Sequence, residues 1–178
     1  MDWSVARGDS RAVAIARALV EITPQSGWTA SALREASWRA TGDPEAWRAL
    51  FPKGSRDAIW LISEVSDASM RASLAGRIGV RVSDAIAERL EQNADLKPFV
   101  RQVSLFDFAH PLQAFARMQT TARAMLACAG AERAGWLRRT GVNLIYSLTI
   151  LGWLFDRSHA DRASKAFARR GLGFLRLD

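Results

Sequence analysis

Tyr146 and Thr149 lie three residues apart in the run TGVNLIYSLTILGWLFDRS. In a helix that spacing sets both hydroxyls on one face. There they can donate to the oxygen of a quinone or phenol, or, as a buried Tyr commonly does, bond a backbone carbonyl. Asp156 follows at the end of the same run, with Arg157, Arg162 and Arg169 as ion-pair candidates. Reaction chemistry has few other carriers. His110 stands before Pro111 in a turn and His159 in a capping loop, and neither has metal-ligand spacing. Cys128 sits in a Leu-Ala setting that suits a core residue better than a nucleophile. Carboxylates are scattered with no inward-facing pair, and no G-x-S-x-G elbow occurs. The expectation is a protein that is not an enzyme and uses no cofactor or metal.

The elements that carry these residues read as helices throughout. No stretch alternates with period two for long, and β-branched residues never cluster. Asp9 or Ser10 caps a first helix over 11–23, ended by Pro24 and Gly27. Thr29 caps a second that Gly42 breaks, and Asp43-Pro44 starts a brief third, with Pro at the first helical position. Ser55 caps a fourth over 56–74, and a fifth covers 80–93. Pro98 opens a sixth, a seventh runs to Cys128, and the eighth covers 133–156. Ser158 with Asp161 signals the cap of a ninth. Gly141 to Phe155 forms an apolar run of 15 residues, short of the about 20 that cross a bilayer. It therefore reads as a helix buried inside a folded domain.

The 178 residues are 49% hydrophobic, enough for a substantial core. Twenty-five basic residues against 18 acidic ones give a net charge of +7, and only Lys53, Lys97 and Lys165 are lysines. Such a balance suits anionic partners: nucleic acid, lipid headgroups or an acidic protein face. A single cysteine allows no internal disulfide and fits a reducing compartment. The opening MDWSVARGDS shows no basic region leading into an apolar run, so a cytoplasmic protein is expected.

Residues 11–60, with GWTASALREA, the turn at Gly42 and LFPKGSRDAI, resemble the DNA-binding head of TetR regulators. A recognition helix meets phosphate and base edges with small or basic residues at its start. Here the start is Asp43-Pro44-Glu45, and Arg48 and Lys53 alone supply little counterion release. DNA is therefore not the expected partner. The C-terminal half is similar to a family of lipid-binding TetR relatives that assist ubiquinone biosynthesis, the ninth coenzyme Q protein of eukaryotes and its bacterial counterparts. Tyr146, Thr149, Trp153, Asp156, Ser158 and Phe167 carry the likeness, with Trp136, Arg138 and Arg139 upstream and GWT and LFPKG in the head. Two differences stand out. Ala129-Gly130-Ala131-Glu132 replaces the acidic, Ser-containing stretch usual before the Trp, and the chain ends at GLGFLRLD where some members continue into an amphipathic membrane helix.

The resemblance implies an all-α, TetR-like homodimer of about nine helices, with a three-helix head over 1–54 and a pocket and dimerisation region over 55–178. It implies an isoprenoid lipid or quinone intermediate presented to the demethoxyubiquinone hydroxylase, at a partner face of Trp136, Arg138, Arg139 and Asp156. The positive surface would rest peripherally on the anionic inner membrane. Large adaptable side chains suit the pocket wall, and the candidates are Trp60, Met70, Phe106, Phe115, Met118, Met125, Tyr146, Thr149 and Trp153. Further apolar candidates are Ile62, Leu105, Phe108, Leu148 and Phe155. A TetR-type regulator sensing an apolar small molecule is the alternative, and an assembly scaffold with a collapsed pocket is a third.

Overall fold

The computed structural model describes residues 1–178. Nine α-helices and three short 3-10 turns make up the chain, with no strand. They are α1 (Ser10–Ser26), α2 (Ala30–Thr41), α3 (Trp47–Leu50), α4 (Ser55–Leu74), α5 (Val82–Gln92), α6 (Lys97–Ala109), α7 (Pro111–Cys128), α8 (Trp136–Trp153) and α9 (Arg162–Phe174).

Local chemistry sets most of the boundaries. The Asp9 carboxylate accepts from Arg11 N–H and opens α1, and the Thr29 hydroxyl accepts from Ala32 N–H and opens α2. Gly42, at φ 74°, closes α2 in the left-handed conformation that glycine adopts without strain. Pro98 and Pro111 stand in the first turns of α6 and α7, where the missing N–H has no intrahelical partner to lose.

Several starts and stops differ from the sequence reading, and α8 is three residues shorter at each end than the expected 133–156. Helix α1 runs past Pro24 to Ser26. The N-cap of α4 is Gly54 rather than Ser55, whose hydroxyl instead reaches Trp28 O at 3.4 Å. Pro44 does not begin a helix: Asp43 Oδ1 accepts from Glu45 N–H in a turn, and α3 starts only at Trp47.

Three apolar clusters hold the helices together. One, around Ile15, Leu19, Leu33, Ala36 and Phe51, binds α1, α2 and the start of α4 into the N-terminal head. A second, around Ala16, Ile59, Ile62, Phe99 and Val103, joins α1, α4 and α6. The third and largest binds α4, α5, α7, α8 and α9 around Met70, Ile86, Met125, Trp153 and Leu172. Between the second and third clusters the packing does not close.

Candidate functional site

A cavity of about 360 Å³ lies in that gap, bounded by α4, α5, α6, α7 and α8. Thirteen of its 23 lining residues are apolar, and the volume falls within the range of small-molecule sites. Ile59 and Ile62 of α4, Phe99, Val100 and Val103 of α6, Met118 of α7, and Ile150 and Leu151 of α8 form the greasy wall. Phe108 and Phe115, both largely exposed, border it where α6 turns into α7.

The polar lining comes from Ser63 and Ser66 of α4, Arg89 of α5, and Asn143, Tyr146 and Ser147 of α8. Arg89 organises it. Its guanidinium forms a buried ion pair with Asp67, donates from Nε to Tyr146 Oη at 2.7 Å, and donates from Nη2 to Ser63 Oγ at 3.3 Å. The Thr121 hydroxyl donates to the other Asp67 oxygen at 3.1 Å. Burial opposes the Arg89 charge, but Asp67 and Tyr146 outweigh it and hold the group above its ordinary value. Burial pushes the Asp67 carboxyl up against the pull of Arg89, and it pushes the Tyr146 phenol up as well, so that the ring keeps its proton. At the α6–α7 side Arg117 pairs with Asp107. Nearby, His110 stacks on Phe106 with centroids 4.2 Å apart, its Nδ1 3.0 Å from Phe106 O.

The expected pocket residues divide. Phe115, Met118 and Tyr146 line the cavity, as do Ile62 and Phe108. Met70, Met125 and Trp153 do not: each is fully buried in the closed α4–α9 core. Thr149 does not reach the cavity either, because its hydroxyl donates back to Ile145 O at 2.7 Å. Trp60 lies outside, its indole N–H donating to Glu64 at 3.1 Å. Phe106 instead packs edge-on against Trp28, with centroids 6.3 Å apart. Leu105, Leu148 and Phe155 are exposed.

The proposed partner face is only partly open. Trp136 is 62% exposed, whereas Arg138 donates to Leu177 O at 3.2 Å, and Arg139 is half-buried beside it. Asp156 does not pair with Arg157, Arg162 or Arg169. Its carboxylate accepts from Ser158 N–H at 2.8 Å and from Ser164 N–H and Oγ at 2.9 and 2.6 Å. Partial burial pushes this carboxyl up, but those hydrogen bonds win and hold it well below the usual carboxylate range. The expected Ser158–Asp161 capping box does not form: Ser158 precedes a 3-10 turn with Ala160 and Asp161 at positive φ, its Oγ accepts from Ala163 N–H at 3.0 Å, and Asp161, which stands at the N-cap of α9, pairs with Lys97.

Sequence reasoning missed Arg89, Asp67, Asn143 and Ser63. A signal existed. Val82, Ala85, Ile86, Arg89 and Leu90 recur at the spacing of one helix face, so Arg89 stands on the inward stripe of α5. Asp67 holds the matching place on α4, four residues after Ser63 and three before Met70. Opposite charges on two inward stripes are the pattern of a buried pair.

In the head, α3 is one turn long. Glu45 takes Arg34 at 3.1 Å and also Arg48, which stacks on Trp47 at 4.9 Å from the ring centroid. Arg39 pairs with Glu35. Residues 1–54 carry seven basic and six acidic side chains, so the excess positive charge lies elsewhere.

A crystal structure described as the TetR transcriptional regulator from Nitrosomonas europaea superposes with a TM-score of 0.72 and 22% identity, over 93% of this chain and 98% of that one. The chain has a TetR-like fold. No family model and no curated protein matches it. No helix is long and apolar enough to cross a membrane.

Proposed function

We propose that this TetR-like protein is a non-enzymatic lipid-binding accessory protein of ubiquinone biosynthesis, holding a polyprenylated quinone intermediate and presenting it to a hydroxylase. The observation that carries the reading is the cavity, with its apolar wall and Tyr146 at its polar lining. Its volume suits a ring and the first isoprene carbons, and a longer tail runs out past Phe108 and Phe115. Covering a prenyl tail is favourable by about 0.8 kcal/mol per CH2-sized unit. Residues 133–176 carry nine basic side chains and two carboxylates, and Ser158, Ser164 and Lys97 already occupy both carboxylates. That cationic end suits an anionic membrane surface without insertion. The catalytic chemistry lies in the partner enzyme.

Organic extraction of purified protein followed by mass spectrometry tests this reading. An isoprenoid or quinone recovered in near-stoichiometric amount is the expected result, and repeated recovery of none would count decisively against it. The second reading is a TetR-type regulator sensing an apolar molecule, supported by the description of the Nitrosomonas structure. The carboxylate-paired arginines and nearly balanced charge of the head argue for the first. A genomic DNA pull-down with salt titration separates them, since specific sites with a steep salt slope favour the regulator.

A further inference from the structure

The polar lining of the cavity offers donors that nothing in the protein accepts. Asn143 is 5% exposed. Its Oδ1 accepts from the Ser147 hydroxyl at 3.1 Å, and its Nδ2 is buried without a hydrogen-bond partner. Buried amide nitrogens are paired in nearly all folded proteins, and this one belongs to a residue that lines the cavity, where a group arriving from outside can supply the acceptor. Tyr146 Oη accepts from Arg89, and Ser63 Oγ accepts from the same guanidinium, which leaves each hydroxyl proton free to turn toward the cavity.

The guanidinium groups at the wall are already matched. Arg89 faces Asp67 and Arg117 faces Asp107, while the Met1 ammonium is held by the Gln92 carbonyl at 2.7 Å and has no carboxylate partner. Beside Tyr146 a ligand carboxylate would find Arg89 already paired, and an ammonium would set donors against donors. An uncharged oxygen acceptor meets both conditions.

We propose that the cavity selects an uncharged amphiphile whose polar end is a carbonyl oxygen, as in a ketone, an ester or a quinone, accepting from Asn143 Nδ2 and the Tyr146 hydroxyl. The inference rests on the cavity being the ligand site and adds the class of headgroup that the site accepts.

Competition against the neutral fluorescent dye N-phenyl-1-naphthylamine tests it on the full chain, with four competitors of matched length: 2-decanone, decanoic acid, decylamine and 1-decene. 2-Decanone should displace the dye at about tenfold lower concentration than 1-decene, the worth of one to two net hydrogen bonds, and should outcompete the acid and the amine. Asn143→Leu should abolish the ketone advantage and leave 1-decene binding intact, and Tyr146→Phe should reduce that advantage. Acid or amine binding as tight as the ketone, a ketone no better than the alkene, or an advantage that survives both substitutions would overturn the headgroup assignment and leave the cavity reading standing. Failure of the dye and of all four competitors to bind would remove the cavity reading itself, and this assignment with it.

Discussion

Arg89 shows how one side chain can hold a site open. Its three contacts tie α5 to α4 and α8 at the polar lining of the cavity, and the geometry demands a partner for a charge taken out of water. Arg89→Met strands the Asp67 carboxylate and should cost about 3–5 kcal/mol in urea denaturation, whereas the double variant Arg89→Met/Asp67→Leu should cost far less. Equal losses in the two would contradict the pairing. Asn143→Leu should raise the stability of the ligand-free protein by about 1 kcal/mol, because it removes a buried unpaired donor; a lowered thermal midpoint would count against the orphan assignment.

Asp156 supplies a pH test. Its carboxyl lies below the usual value in the folded state, so its contribution is complete above the unfolded value of about 3.9 and is lost as pH falls through the folded one. Asp156→Asn should therefore destabilise at neutral pH, and the gap between the melting curves should narrow below about pH 4. A gap constant down to pH 2 would be the contrary result. The sequence placed Asp156 at a helix end correctly but assigned it arginine partners. Charge attraction is visible in a sequence, whereas the 3-10 turn that folds Ser164 back onto the carboxylate is not.

At the scale of elements, α8 and α9 are held close by Gly171, where an added Cβ would stand 2.8 Å from Ile145 Cδ1. Gly171→Val should push α9 off α8 and cost about 1–3 kcal/mol; an unchanged denaturation midpoint would show that Ile145 simply rotates away. Helices of this kind were legible in the sequence. Thr29, Gly42, Pro98 and Pro111 act through the local backbone, so their effect needs no tertiary knowledge. The direction each apolar helix faces was less legible. Met70, Met125 and Trp153 have the same residue character as Phe115 and Met118, and only the packing of five helices decides which look into the cavity and which into solid core.

At the scale of the molecule, Leu137, Leu144 and Leu148 recur along one side of α8 and Phe167 and Phe174 along one side of α9, and all five are exposed. Two such helix pairs related by a two-fold axis close into a four-helix bundle. Sedimentation should accordingly give a dimer, and Leu144→Glu/Leu148→Glu a monomer; a wild-type monomer at micromolar concentration would refute the pairing. The TetR-like architecture was readable from the head, where GWT, the Gly42 turn and LFPKG stand in order within residues 11–60. The cavity was not readable, because it is a failure of α4, α6, α7 and α8 to meet, and no single segment encodes a gap. A crystal structure of the protein as purified from cells measures that gap directly. The account expects elongated density between Phe99, Met118 and Ile150 with its polar end at Asn143 and Tyr146. An interior closed by the protein's own side chains, or filled by ordered water alone, would contradict it.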